Sequence, residues 1–207
     1  MNALRPILTA HGKQIEDAQL LELYAEFEAQ GETGPYRRYR EVLSGVVHDL
    51  GRRLGFTPSL EEEASLAASL KNWKPWPDTV AALQQLEKKF KLAILSNIDD
   101  DLFAPTARKL RPVHFADVIT AEQASCYKPG LDLFRLALQR LGASPDQVLH
   151  IGQSVFHDVV PAKSLGMASV WVKRPSARPG VGAVKASTEK PDWELPDLAT
   201  LAAAMLT

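Results

Sequence analysis

The sequence predicts an α/β protein in which a doubly wound parallel sheet follows a helical bundle along the chain. Two observations lead to this fold class. Residues 1–75 repeat their apolar side chains at the three- and four-residue steps of helices and show almost no strand pattern. From residue 76 onward, short apolar runs alternate with helical segments, and strands separated by helices form parallel sheets covered on both faces. We therefore expect a helical domain over residues 1–75 and an α/β core over residues 76–207.

Three helices are predicted in the first domain. A short apolar stripe precedes the break at Gly31–Pro35 and consists of Leu20, Leu21, Tyr24 and Phe27. A longer stripe follows the break and consists of Tyr36, Tyr39, Val42, Leu43, Val46, Val47, Leu50 and Leu54. A third helix is expected to begin at Ser59, because Glu62 three residues later completes a capping box.

Four short apolar runs predict the strands of the core: residues 92–95, 118–120, 148–151 and 169–172. Helical patterns accompany them over residues 78–90, 131–141, 159–165 and 197–206. Residues 175–191 are rich in Gly, Pro, Ser and Ala, which indicates a surface loop.

Composition narrows the classes of function. The chain has 207 residues, of which 45% are hydrophobic and 24% charged, as is ordinary for a globular protein with one sizeable core. Its net charge of −1 gives no reason to expect nucleic acid or a membrane as a partner. The single cysteine, Cys126, excludes an internal disulfide, and the first residues lack a signal-peptide pattern. We expect a cytoplasmic protein that acts on a small molecule.

Polar residues follow three of the predicted strands. Ser96 and Asn97 come after the first run, Lys128 follows the second, and the segment Gly152–Asp158 follows the third. Because ligands bind outside the carboxyl ends of strands in open parallel sheets, we expect these side chains to converge. A hydroxyl, an ammonium and a carboxylate together suit an anionic transition state.

Each of these residues also has a purely structural interpretation. Ser96 and Asn97 are typical of turns that end a strand, and Lys128 before a proline is typical of an exposed residue that leads into a helix. Asp158 is typical of a helix N-cap, since Pro161 predicts that a helix starts at Asp158 or Val159. Their order and their positions at strand ends, taken together, favour a shared site.

Three segments of the core share the order and spacing of a known set of motifs. Residues 91–97, 127–129 and 152–158 resemble the second, third and fourth motifs of the haloacid dehalogenase superfamily of hydrolases. Residues 191–195 are similar to the C-terminal segment of its 2-haloacid dehalogenase branch, and residues 1–75 resemble the helical cap that the family inserts after its first core strand. The resemblance extends over essentially the whole chain.

The resemblance implies a two-step hydrolysis that needs no metal or other cofactor. An aspartate of the family attacks the substrate and forms a covalent ester, which an activated water then hydrolyses. By analogy, Ser96 and Lys128 would hold the nucleophile and the charge of the substrate, and Asp158 would orient other groups or the water. Further substrate contacts are expected from Asn97, Gln153, Ser154, His157 and, in the cap, Tyr39. Homodimers are common among the dehalogenases that the chain resembles, so a homodimer is one expected assembly.

The nucleophile itself has no counterpart in this sequence. The family carries it in an Asp-x-x-Gly-Thr-like segment at the end of the first core strand, whereas Met1–Arg5 resembles the first cap helix already under way. The first core strand is therefore expected to be absent from residues 1–207. We expect the native gene to encode an in-frame extension that contains this strand and turn.

Two alternatives remain open. The first is a Mg²⁺-dependent phosphatase of the same fold, although Gln153 stands where those enzymes have an aspartate and a neutral amide is a poorer Mg²⁺ ligand. The second is a catalytically inactive remnant or binding protein. The dehalogenase branch is itself matched imperfectly, since Ala25 stands where characterised members have an arginine and Phe134 where they have a tyrosine.

Overall fold

The computed structural model describes residues 1–174 and 187–206, which fold into two compact units. The first unit comprises residues 1–73, and the second comprises residues 74–174 with 187–206. No helix within these described ranges is both long enough and apolar enough to cross a membrane. The surface loop expected over residues 175–191 falls mostly on residues 175–186, which lie outside the described part of the chain.

The first unit is a bundle of helices: α1 (Leu4–Ala10), α2 (Asp17–Gly31), α3 (Tyr39–Leu54) and α4 (Leu60–Ser69), followed by a 3-10 turn (Leu70–Asn72). The apolar stripes of α2 and α3 form its core, with Leu20, Leu43, Val46 and Val47 almost fully buried. The predicted capping box at the start of α4 is confirmed. The amide of Ser59 donates to Glu62 Oε2 at 2.7 Å, and the amide of Glu62 donates to Ser59 Oγ at 3.2 Å.

The second unit alternates strands with helices. Its strands are β1 (Ala93–Ser96), β2 (Asp117–Thr120), β3 (Leu149–Gly152), β4 (Ala168–Val172) and β5 (Trp193–Leu195). Its helices are α5 (Thr79–Leu86), α6 (Asp100–Lys109), α7 (Ala121–Ala124), α8 (Leu131–Leu141), α9 (Val160–Ser164) and α10 (Leu198–Leu206). The four predicted strands are confirmed, and each of their ends lies within one residue of its predicted position. Strand β5 was not predicted, because its three residues are too few to show alternation and Trp193 is exposed.

The strands pair in parallel in two separate groups. β1 pairs with β2, so that Ser96 lies opposite Thr120. β4 lies between β3 and β5, with Gly152 opposite Trp171. In the described part of the chain, no strand pairs with the other edge of β1 or with the other edge of β3.

Helices nevertheless join the two strand groups on both faces. On one face, Leu92 before β1 and Leu149 of β3 pack in a single apolar cluster with α5 and α10. On the other face, Leu95 of β1 and Val148 before β3 pack with Phe134 of α8 and with α9. Because side chains alternate along a strand, the residues at 92 and 95 point to opposite faces. The sheet is therefore doubly wound, and no strand of the described residues fills the gap between β1 and β3.

The helical segment after β3 begins earlier than Pro161 predicts. A π-helical turn over Val155–Val159 precedes α9. Ser154 caps this turn, because its hydroxyl accepts a hydrogen bond from the amide of His157 at 3.1 Å. Asp158 consequently lies inside the turn instead of capping a helix, and its carboxylate bends back toward Ser154. Short π-helical turns of this kind occur frequently at functional sites.

Candidate active site

Lys128 and Asp158 form a buried ion pair at the carboxyl ends of β1 and β3. Lys128 Nζ lies 2.7 Å from Asp158 Oδ1, and the two side chains are 12% and 9% exposed. The same ammonium donates to the backbone carbonyl of Leu95 in β1 at 3.1 Å. A buried charge is tolerated only when it is paired and hydrogen-bonded, and this pair meets both conditions.

Two further donors complete the surroundings of the Asp158 carboxylate. His150 Nε2 lies 3.1 Å from Oδ1, and the amide of Ser154 donates to Oδ2 at 3.0 Å. Burial alone raises the pKa of Asp158, but Lys128 and His150 outweigh burial and hold that pKa far below its usual range. The site therefore favours the ionised form of Asp158, paired with the Lys128 ammonium.

Gly152 makes room for this carboxylate. A Cβ built on Gly152 would collide with the Cβ, Cγ and Oδ2 atoms of Asp158, so only glycine allows Asp158 to lie against the end of β3. The site therefore depends on a close approach between backbone and side chain, which the motif Gly152–Asp158 encodes.

Asn97 ties the end of β1 to the segment that carries Lys128. Its Oδ1 accepts a hydrogen bond from the amide of Lys128 at 2.7 Å, and its Nδ2 donates to the carbonyl of Lys128 at 3.1 Å. Ser96 lies in β1 between Leu95 and Asn97, both of which contact Lys128. Of the three predicted catalytic residues, Lys128 and Asp158 are in direct contact, and Ser96 is the last residue of β1 at the same edge of the sheet.

The remaining predicted residues of the fourth motif lie beside this pair. Ser154 is 5% exposed, and its hydroxyl lies 3.1 Å from Nδ1 of His157, so these two side chains contact each other. Gln153 is exposed, and its backbone carbonyl accepts a hydrogen bond from Trp171 Nε1 at 2.9 Å. Trp171 thereby fixes the loop that follows β3.

Tyr39 lies in the first unit and is occupied by an internal network. Its hydroxyl donates to Glu28 Oε1 at 2.6 Å, and the hydroxyl of Tyr24 donates to the same oxygen at 2.6 Å. Burial raises the pKa of Glu28, and the two phenol donors offset only part of that rise. The structure thus gives Tyr39 a role inside the helical bundle, and its predicted substrate contact remains a prediction.

The site can be compared with known proteins. The family model described as "Hydrolase: haloacid dehalogenase-like hydrolase" matches residues 2–166. The chain belongs to this family. A relative from Mus musculus, haloacid dehalogenase-like hydrolase domain-containing protein 3, is 30% identical over an alignment of 215 residues. The alignment covers 95% of this chain and 82% of the relative.

Other relatives of this haloacid dehalogenase-like hydrolase carry phosphatase names. A glyceraldehyde 3-phosphate phosphatase from Methanopyrus kandleri is 29% identical, over 78% of each chain. A second protein of that name, from Methanocaldococcus jannaschii, is 34% identical over 48% of this chain, and that match spans 44% of the relative.

Solved structures with the same fold include both dehalogenases and a magnesium-bound hydrolase. The L-2-haloacid dehalogenase of Xanthobacter autotrophicus superposes with a TM-score of 0.78 at 23% identity, covering 91% of this chain and 86% of that one. The HAD-hydrolase YfnB from Bacillus subtilis, bound to magnesium, gives a TM-score of 0.79 at 20% identity, and the match covers 99% of this chain and 90% of YfnB. At these identities the likeness concerns the fold alone.

His150 is the site residue that the sequence analysis missed. It lies within the apolar run Val148–Ile151, whose pattern predicts a strand but no functional side chain. Its position in an apolar strand just before the Gly152–Asp158 motif is the sequence feature that points to a site residue. A buried imidazole needs a hydrogen-bond partner, and the motif offers polar groups nearby. Overall, this hydrolase offers a fixed ammonium and a fixed carboxylate beside the unpaired edge of β1, an arrangement that stabilises negative charge.

Proposed function

We propose that the protein is a hydrolase of small organic acids that works through a covalent aspartyl ester, as in 2-haloacid dehalogenases. One observation carries the proposal: the ammonium of Lys128 lies at the unpaired edge of β1, bonded to Leu95 and Asp158. A positive charge at this edge would stabilise a carboxylate nucleophile and the anionic substrate that it attacks.

The orientation of the β1 carbonyls supports this assignment. The carbonyl of Leu92 accepts a hydrogen bond from Ala116, which leads into β2, at 2.7 Å. Because successive carbonyls along a strand alternate in direction, the carbonyl of Leu95 points away from β2 and into the gap toward β3. We infer that the gap accepts one parallel strand, and that the nucleophilic aspartate stands at the carboxyl end of that strand, next to Lys128.

The chemistry then proceeds in two balanced steps. The aspartate oxygen bonds to the substrate carbon that carries the halogen, and the halide leaves with the electron pair of the broken bond. Water next adds to the carbonyl carbon of the ester, and the bond between that carbon and the substrate oxygen breaks. One proton of the water goes to the departing substrate oxygen, and the other is released to solvent. The 2-hydroxy acid departs with an oxygen that came from the aspartate, and the carboxylate is regenerated. Lys128 offsets the negative charge in both steps, and Asp158 holds Lys128 in place.

A phosphatase is the second candidate, and the names of two archaeal relatives favour it. Phosphatases of this superfamily use Mg²⁺, which prefers one or two carboxylates in octahedral oxygen ligation. The residues at this site do not fit that ion well, since Oδ1 of Asp158 already accepts from Lys128 and His150, and Oδ2 accepts from Ser154. Gln153 adds no charge. We therefore infer that hydrolysis does not require Mg²⁺.

The test is this chain joined at its N-terminus to a designed segment that carries a β-strand and an Asp-x-x-Gly-Thr turn. Turnover of L-2-chloropropionate and of p-nitrophenyl phosphate is measured with EDTA and with added Mg²⁺. We expect dehalogenation that EDTA does not change and that the Asp→Asn variant of the added aspartate abolishes. Phosphatase turnover that disappears in EDTA and returns with Mg²⁺ would establish the second candidate instead.

A further inference from the structure

His150 is a buried histidine to which the two-step reaction assigns no role. It lies in the middle of β3, and its side chain is 12% exposed. Its ring packs against Phe134, a fully buried residue of α8, with 4.9 Å between the ring centroids. Its Nε2 lies 3.1 Å from Asp158 Oδ1. Because an ionised carboxylate only accepts hydrogen bonds, Nε2 must carry the proton in this contact.

His150 contacts the same carboxylate oxygen of Asp158 that binds the Lys128 ammonium. Asp158 Oδ1 accepts from both Lys128 Nζ and His150 Nε2, while Oδ2 is engaged by the amide of Ser154. A carboxylate turns easily about its last side-chain bond, since that torsion has a broad energy profile. The imidazole packs against Phe134 and donates a second hydrogen bond to Oδ1, in addition to the one from Lys128. The plane of the carboxylate is thereby set, and with it the position of the ammonium.

We propose that His150 is a positioning residue, which fixes Asp158 and through it directs the Lys128 ammonium to the open edge of β1. An ammonium has three N–H donors, and the contacts to Leu95 and Asp158 use two of them. The third then points in a defined direction toward the reacting carboxylate. The kinetic consequence rests on the proposed function, whereas the geometric consequence can be measured without catalysis.

The decisive comparison is His150→Leu with His150→Gln. Leucine retains the apolar contact with Phe134 but cannot donate, whereas the amide of glutamine can still donate to Asp158. His11→Leu provides a matched control, because His11 also stacks on a phenylalanine, Phe56, and bonds a carboxylate, Glu62, in the first unit. That control should leave the site unchanged.

The first measurement uses the chain as it stands. Hydrogen exchange of the Lys128 ammonium, followed by ¹⁵N NMR, should become about tenfold faster in His150→Leu and return to within about threefold in His150→Gln. ¹⁵N shifts of the wild-type imidazole should show the proton on Nε2. A proton on Nδ1, or unchanged exchange in folded His150→Leu, would overturn the proposal. The tautomer is read on the wild type, so it decides the matter even if a variant fails to fold.

The second measurement uses the extended, active chain. We expect His150→Leu to lower kcat about tenfold with KM nearly unchanged, and His150→Gln to restore most of kcat. Equal losses in both variants would indicate a structural role and contradict positioning. If the extended chain turns over neither substrate, the proposed function fails, while the NMR result still decides the role of His150.

Discussion

At the scale of single residues, the site depends on how tightly Asp158 lies against Gly152. The carboxylate occupies the space that any Cβ at position 152 would need. This close approach explains why a glycine ends β3 although its φ is not in the left-handed region. Sequence alone predicted that Asp158 lies near the strand end but not that it lies against the strand itself.

We predict that Gly152→Ala lowers the free energy of unfolding by about 2 kcal/mol, because the methyl group must displace the carboxylate or the strand. The matched control is Gly45→Ala in α3, where an added Cβ meets no atom within 4 Å. That change should raise stability by up to about 1 kcal/mol, since alanine is the better helix former. Urea unfolding measures both, and equal effects of the two substitutions would contradict the packing assigned to Gly152.

The Lys128–Asp158 pair yields a second prediction at this scale. Lys128→Met and Asp158→Asn should each lower the free energy of unfolding by about 3 kcal/mol at neutral pH, because each leaves a buried charge or donor without its partner. The double variant should cost less than the sum of the two. The exposed pair Asp132–Arg135 serves as the control. Removing that pair should change the free energy of unfolding by no more than the experimental error.

The same pair predicts a pH dependence with a definite sign. The pKa of Asp158 is lowered in the folded chain, so its stabilisation is fully present above the ordinary carboxyl range and is lost as the pH falls toward the folded pKa. The cost of Asp158→Asn should therefore shrink on acidification. A cost that stays constant down to acid unfolding would show that the charge of Asp158 is not what stabilises the fold.

At the scale of helices and strands, α2 and α3 share a buried polar network centred on Glu28. The pKa of Glu28 is raised chiefly by burial, so the folded state favours its protonated form. Stability should fall as the pH rises from the unfolded pKa through the raised folded pKa, and should then remain level. The network therefore makes the helical unit more stable in mild acid.

We predict that Glu28→Gln removes this loss of stability. The amide oxygen of glutamine can still accept from Tyr24 and Tyr39 but carries no charge to desolvate. Urea unfolding from about pH 4 to about pH 8 should show the variant gaining stability relative to the wild type as the pH rises. Glu26→Gln, an exposed change on the same helix, should leave the wild-type profile intact. A Glu28→Gln profile parallel to the wild type would contradict this account.

The elements that sequence could predict are those with a strong local pattern. The stripe Tyr36–Leu54, the capping box at Ser59 and helix α8 all have such patterns. The structure confirms them, except that α3 begins at Tyr39 and leaves Tyr36 outside the helix. Strand β5 and the π-helical turn at Val155 were missed, because pairing with β4 and the cap from Ser154 create them. These features depend on tertiary contacts, which apolar spacing does not record.

At the scale of the whole molecule, the sheet contains a gap that its helices cover on both faces. The second, third and fourth motifs of the family can be recognised from their order along the chain. Their residues are expected to share a site because the ends of parallel strands bring distant residues together. His150 was not recognisable, because its partner Asp158 reaches it only through the close approach at Gly152. The gap between β1 and β3, with Lys128 at its edge, is the feature on which the proposed reaction depends.

The most direct test of that reaction is a single turnover of the extended chain in H₂¹⁸O. Excess enzyme is mixed with L-2-chloropropionate, and the masses of the protein and of the product are measured. If an aspartyl ester forms, the product takes its new oxygen from the aspartate, so the protein should become heavier by one ¹⁸O-for-¹⁶O exchange and the first product should be unlabelled. Label in the first product with an unlabelled protein would mean that water attacks the substrate directly, and it would contradict the account.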